Sequence, residues 1–215
     1  VNRRTRLAGV GSSLALAAGV LVAVALDSTV SALPVRARLS DLGRPGAPGA
    51  LVFGLGLCLA GALGLGFARG CWRAANDPLD RAVAAVSGAA FLGLGVAGAV
   101  PEPGIAHVPA LSTAYLAGVS ALLLDGVRRR HGPGDHVDSA GSRAGTVLVG
   151  TVGIVAALWA LRALVATTFV LSGATSALLL AELGTLSAFG GWVVFRARAG
   201  ASAESAASGV TAAER

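Results

Sequence analysis

The sequence predicts an all-α fold: a polytopic integral membrane protein built as a six-transmembrane-helix bundle, with both chain ends on the cytoplasmic side. Three observations carry this reading. Of the 215 residues, 54% are hydrophobic, a further 31 are glycine and only 13% are charged, and mean hydropathy is +0.74. A soluble domain of this length needs more polar surface than that to cover itself. The apolar residues also fall into six runs of about 20, the length that crosses a hydrocarbon core of about 30 Å. Finally, the basic residues gather on alternate connections between those runs. An ordinary soluble enzyme, a disordered chain and a disulfide scaffold are excluded together.

The first run spans Leu7–Leu26 and follows the basic cluster Arg3, Arg4 and Arg6. A basic start, an apolar core and the small residues Val30-Ser31-Ala32 also imitate a secretory signal, but this run is longer than the 7–15 residues of a signal core. It is therefore read as a retained span. The second run is Ala50–Ala68, entered after Arg44-Pro45-Gly46, and the third is Ala82–Val100, entered after Asp77-Pro78. The fourth, Pro109–Val127, follows Pro101-Glu102-Pro103-Gly104. The fifth, Thr146–Ala166, follows Gly132-Pro133-Gly134, and the sixth covers about Ala177–Phe195. Proline and glycine at these joints stop helices because proline lacks the N–H and glycine tolerates turn conformations. Residues 1–198 thus form one membrane domain. The Ala/Ser/Gly stretch 199–215 is read as a disordered cytoplasmic tail.

All 17 basic residues are arginine, a bias that, with abundant Ala, Gly, Val and Leu, suits a GC-rich bacterial genome. With an internal N-terminus, thirteen arginines lie inside: 3, 4, 6, 69, 73, 81, 128, 129, 130, 143, 196, 198 and 215. Only Arg36, Arg38 and Arg44 lie outside, and Arg162 is left within the fifth span. Positively charged flanks remain cytoplasmic, so the location expected is a bacterial plasma membrane, crossed several times. The arginines show no basic face with interleaved aromatics, which argues against nucleic acid as a partner.

The chemistry-bearing residues are few. Arg162 and Glu182 sit in consecutive antiparallel spans at similar depth below the outer surface, where a charge is costly unless paired. They form the core of an expected outer polar cluster with His107, Asp27 and Asp41, either a polar pocket or a structural bridge between helices. Asp125 stands three and four residues before Arg128 and Arg129, the spacing of local helical ion pairs. His131, Asp135, His136 and Asp138 fall in a connection read as a solvated turn. No metal site and no cofactor is expected, and Cys58 and Cys71 are read as reduced and structural. Small residues recur every four positions in the second span (Gly56, Ala60, Gly64, Ala68) and in the third (Ala85, Ala89, Gly93, Ala97). Such stripes let helix backbones approach closely. They are read as packing within the chain, with a homodimer face as the lesser alternative. No catalytic motif is found.

One stretch carries a family likeness: Leu39-Ser40-Asp41-Leu42-Gly43, followed by Phe53-Gly54-Leu55-Gly56 in the second span. At Ser40, Leu42, Gly43, Phe53, Gly56 and His107 the chain resembles the bacterial and archaeal six-span membrane family of unknown function related to the Frag/DRAM/Sfk group. The likeness extends from Leu7 to about Arg198, and Gly54 departs from it by standing where an Asn is expected. It implies a six-helix integral membrane protein and supplies no activity. The function expected is therefore that of a non-enzymatic accessory, regulatory or lipid-contacting membrane protein. Its partners would be membrane lipids, with a second membrane protein as the other partner class. The alternative is a small transporter or channel using the Arg162–Glu182 pair.

Overall fold

The computed structural model describes residues 2–27, 39–101, 104–131, 139–168 and 176–213, with side chains described within 2–27, 39–101, 104–130, 141–160 and 181–199. Six α-helices fill these residues: α1 (Arg3–Leu26), α2 (Ala50–Ala74), α3 (Pro78–Ala99), α4 (His107–His131), α5 (Ser139–Thr168) and α6 (Ser176–Ala213). A short 3₁₀ turn, η1 (Leu39–Gly43), precedes α2. Each apolar run read from the sequence lies within one of these helices, apart from the terminal Val100 of the third. Five of the helices are long and apolar enough to cross a membrane, by length and composition, among the described residues.

Local chemistry sets the helix ends. Asn2 Oδ1 accepts from the Thr5 backbone N–H at 2.9 Å and caps α1. Asp77 Oδ1 accepts from the Asp80 N–H at 2.7 Å, and Pro78 supplies the preset φ of a first helical turn. The hydrogen bond from that Asp80 N–H holds the Asp77 carboxyl below its ordinary pKa, because it stabilises the charged form. Gly46 has φ +89°, a left-handed turn conformation that glycine adopts without strain. At its far end α6 runs on to Ala213. The stretch from 199, expected to be disordered, is thus helical backbone as far as Ala213, in keeping with the high helix propensity of its repeated alanines.

The helices form a ring of sequence neighbours, with α6 closing it between α5 and α1 and also touching α4. One end of the bundle carries η1, the α3–α4 connection and the first turn of α4. The opposite end carries the described arginines of the α1 start, the α2–α3 connection, the end of α4 and the middle of α6. The α2 stripe packs within the chain, while in the α3 stripe Gly93 and Ala97 are buried and Ala85 is exposed. A Cβ on Gly56 would stand 2.7 Å from the Cα of Gly19 on α1, and one on Gly61 would stand 2.7 Å from the Cα of Gly95 on α3. Larger side chains complete the centre: Phe91 lies 6.5 Å from Phe67, edge-on, and 5.0 Å from Phe189, which stacks on Trp192 at 5.6 Å.

The bundle carries large apolar side chains on its outer surface and sets a few polar ones within an apolar core. Leu21 is 69% exposed and Leu51 74%, while Ser12, Ser87, His107, Asp125, Glu182 and Thr185 are buried. Buried hydroxyls are satisfied across or along helices: Ser12 Oγ donates to Ala60 O at 2.7 Å and Ser87 Oγ to Val83 O at 2.6 Å. Lipid gives no hydrophobic drive between helices, so close backbone packing and hydrogen bonds of this kind hold such a bundle together.

Candidate functional site

At the η1 end a cavity of about 500 Å³ lies between α4 and α5, bounded by η1 and α6. One face of α4 lines it at helical spacing: His107, Leu111, Ser112, Tyr115, Val119 and Ser120. Val155, Ala156 and Trp159 of α5 form the other wall, and Ser40 of η1 and Glu182 of α6 complete it. From His107 to Ser120 the lining extends about 20 Å along α4. Val108 and Leu116 are also in the lining, and Leu116 is 72% exposed, so the cleft reaches the outward, apolar surface of the bundle. Tyr115 and Trp159 brace its two walls, with ring centres 5.6 Å apart, and Trp159 Nε1 donates to Thr185 Oγ1 at 3.0 Å.

His107 is 2% exposed. Its Nδ1 lies 2.8 Å from Val100 O and 3.1 Å from Ala97 O. Carbonyl oxygens only accept, so Nδ1 carries a proton and the neutral ring has its lone pair on Nε2. Among the described residues no group hydrogen-bonds to Nε2. Glu182 is buried at 5% exposure, and its Oε2 accepts from the Leu39 N–H at 2.8 Å. That bond pins η1 onto α6 and sets Ser40 at the cavity wall.

Of the expected outer cluster, His107 and Glu182 share this cavity. Asp27 is buried at the end of α1, outside the cavity lining. Asp41 turns instead to Arg44, 2.5 Å away at an exposed position. The Arg162 side chain, and residues 132–138 with His136, Asp135 and Asp138, lie outside the described residues, as does the His131 side chain. The family-like residues are mostly packing: Leu42 and Phe53 are core, a Cβ on Gly43 would meet the Phe53 ring at 3.0 Å, and Gly56 seats Gly19. Both cysteines are free, Cys71 buried and Cys58 partly so. Among the described residues no three His, Cys, Asp or Glu side chains gather as metal ligands.

A second polar assembly closes the opposite end. Asp125 is fully buried and accepts from Arg129 Nε at 2.9 Å and from Trp192 Nε1 at 2.9 Å. Arg128 approaches it at 3.3 Å, and Arg196 Nη1 at 3.5 Å. Arg196 also reaches Asp80 at 2.7 Å, and Arg128 does so at 3.3 Å. The local pairs of Asp125 with Arg128 and Arg129 follow from helix spacing. Asp80, Trp192 and Arg196 do not, because they come from α3 and α6. The cavity hydroxyls were likewise missed, although Ser112, Tyr115 and Ser120 share a helical stripe with His107 that a search for polar faces would find.

Comparison with protein-family models, curated proteins and solved structures finds no match to this chain.

Proposed function

We propose that the chain is a six-span protein of a bacterial plasma membrane, both ends cytoplasmic, that acts by holding a lipid in the α4–α5 cleft. Its role is then accessory or regulatory rather than catalytic, consistent with the resemblance to the uncharacterised six-span family. The observation that carries the reading is the cleft itself: largely apolar, with the hydroxyl residues Ser112, Tyr115 and Ser120 interspersed, continuous with the outward surface at Leu116, and most polar at the η1 end through Ser40, His107 and Glu182. That gradient matches a molecule lying in a bilayer, with its head near the interface and its tail below. A volume of about 500 Å³ also lies within the range of small-ligand sites.

Filling the cleft tests this directly. Ala156 faces it from α5, and Ala156→Trp should abolish the lipid that stays bound through detergent exchange, read by native mass spectrometry, while helical content is unchanged. Equal retention by both proteins, or none by the natural sequence, contradicts the reading. The second reading, a small transporter, draws on a further cavity of about 440 Å³ toward the arginine end, lined by Leu122, Leu148, Ser187 and Trp192.

A further inference from the structure

We infer that the seam between α5 and α6 at the arginine end is a site for an anionic phospholipid, its acyl chains in an apolar groove and its phosphate among the arginines at the mouth. The inference goes beyond the α4–α5 cleft and does not depend on it.

The place of the chains follows from shape. A cavity of about 440 Å³ runs along the seam, walled by Val147, Leu148 and Thr151 of α5 and by Ala188, Gly191 and Phe195 of α6. From Ser187 to Phe195 the lining covers about 12 Å of α6. That is under half of a hydrocarbon core of about 30 Å, so the groove serves one leaflet. Val147 and Phe195 are exposed, and the groove therefore opens onto the outward surface of the bundle. A second groove on α6 adjoins it, bounded by Val194 and Arg198, and the two share Gly191 and Phe195. A Cβ on Gly191 would meet nothing within 4 Å, so the absent side chain leaves space where the grooves join. Two adjoining apolar grooves suit a two-chain lipid.

The head follows from charge. Arg129 lies over the Phe195 ring, its guanidinium carbon 5.0 Å from the ring centre. Its Nε donates to Asp125 at 2.9 Å, which fixes the group in place through one of its five N–H donors. Arg198 lines the second groove. At the start of α5 a Cβ on Gly145 would stand 2.8 Å from Arg130 Cγ, so the Arg130 stem crosses α5 there. Arg143 is exposed one residue before Ala144, which lines the groove. Guanidinium groups from α4, α5 and α6 thus meet at one end of the seam, and no carboxylate is among the described lining of either groove. A guanidinium holds a phosphate through paired N–H···O bonds. A phosphodiester head without a cation of its own complements this mouth, whereas a choline head brings a positive group that the arginines repel.

Both grooves are open, so their lipid exchanges during purification and the test adds it back. The full chain in detergent is titrated separately with dioleoyl phosphatidylglycerol, dioleoyl phosphatidylcholine and glycerol 3-phosphate, and binding per chain is read by native mass spectrometry. Phosphatidylglycerol should bind about tenfold more tightly than phosphatidylcholine, within what one hydrogen bond to a charged group supplies. Arg143→Gln with Arg198→Gln should bring it down to the phosphatidylcholine level and leave phosphatidylcholine unchanged. The same exchange at Arg69 and Arg73, exposed at the same end of the bundle, should leave the preference intact. Gly191→Leu fills the junction of the grooves and should weaken both lipids about tenfold. Equal binding of the two lipids, or an equal loss from the Arg69 and Arg73 exchange, overturns the site, because the charge of the whole face would then account for the binding. Glycerol 3-phosphate binding as tightly as phosphatidylglycerol overturns the role of the groove. Ala156→Trp should bind phosphatidylglycerol as the natural sequence does. Loss there with retention in Gly191→Leu would assign this lipid to the α4–α5 cleft and overturn the inference while leaving the cleft reading standing. The comparison of the two lipids needs only the natural sequence, so it holds even if a variant does not fold.

Discussion

Asp125→Ala should destabilise the bundle by about 3–5 kcal/mol, the cost of removing one partner from a buried charge assembly. The carboxylate is fully buried, and it is the common partner of Arg128, Arg129, Arg196 and Trp192. Its loss leaves three guanidinium groups facing one another, with Asp80 the nearby carboxylate that still holds Arg128 and Arg196. Asp125→Asn retains an acceptor for Trp192 and should fall between the natural protein and Asp125→Ala. Arg44→Ala is the control, because Arg44 is exposed and a screened pair such as the one it makes with Asp41 contributes about 0–1 kcal/mol. The check is the unfolding midpoint in a denaturing-detergent titration. A shift for Asp125→Ala no larger than that for Arg44→Ala would remove the network from the account of stability.

Gly61→Val should force α2 and α3 apart and destabilise the bundle. A Cβ there would lie 2.7 Å from the Gly95 backbone and 2.8 Å from the Phe91 carbonyl oxygen. Backbone cannot rotate aside as a side chain can, so α2 and α3 must separate, and overpacking of this kind costs about 1–3 kcal/mol before lost contacts are added. Gly150 and Gly153 on α5 give the opposite result. A Cβ at either position meets nothing within 4 Å, so alanine there should stabilise by about 0.5–1 kcal/mol through helix propensity. The same detergent titration separates the two outcomes. A tolerated Gly61→Val would mean that α2 and α3 do not pack with their backbones in contact.

These two sets of residues also show what the sequence could reveal. The apolar runs and their Pro/Gly joints place the helices well, because length and hydropathy are properties of each segment alone. Asp125 with Arg128 and Arg129 is legible for the same reason, since helix geometry fixes neighbours three and four apart. Arg196 and Asp80 are 116 residues apart in the chain, and Leu39 and Glu182 are 143 apart. Those meetings depend on how α6 closes the ring, which no local pattern encodes. Asp27 and Asp41 illustrate the limit from the other side. Both belong to the η1 end as expected, yet one is buried away from the cavity lining and the other turns to Arg44. The polar composition of 199–213 suggested disorder because it lacks a core-forming pattern, whereas its alanines suit helical backbone.

The central claim is a bundle set across a membrane, with the η1 end and the arginine end on opposite sides. Single cysteines test it most directly, placed in a background with Cys58 and Cys71 replaced by alanine. Pro48 at the η1 end and Asn76 at the arginine end are both exposed. A membrane-impermeant maleimide should label Pro48→Cys in intact cells and Asn76→Cys only in inverted membranes. Labelling of both from one side, or recovery of the chain in the soluble fraction without detergent, would contradict it.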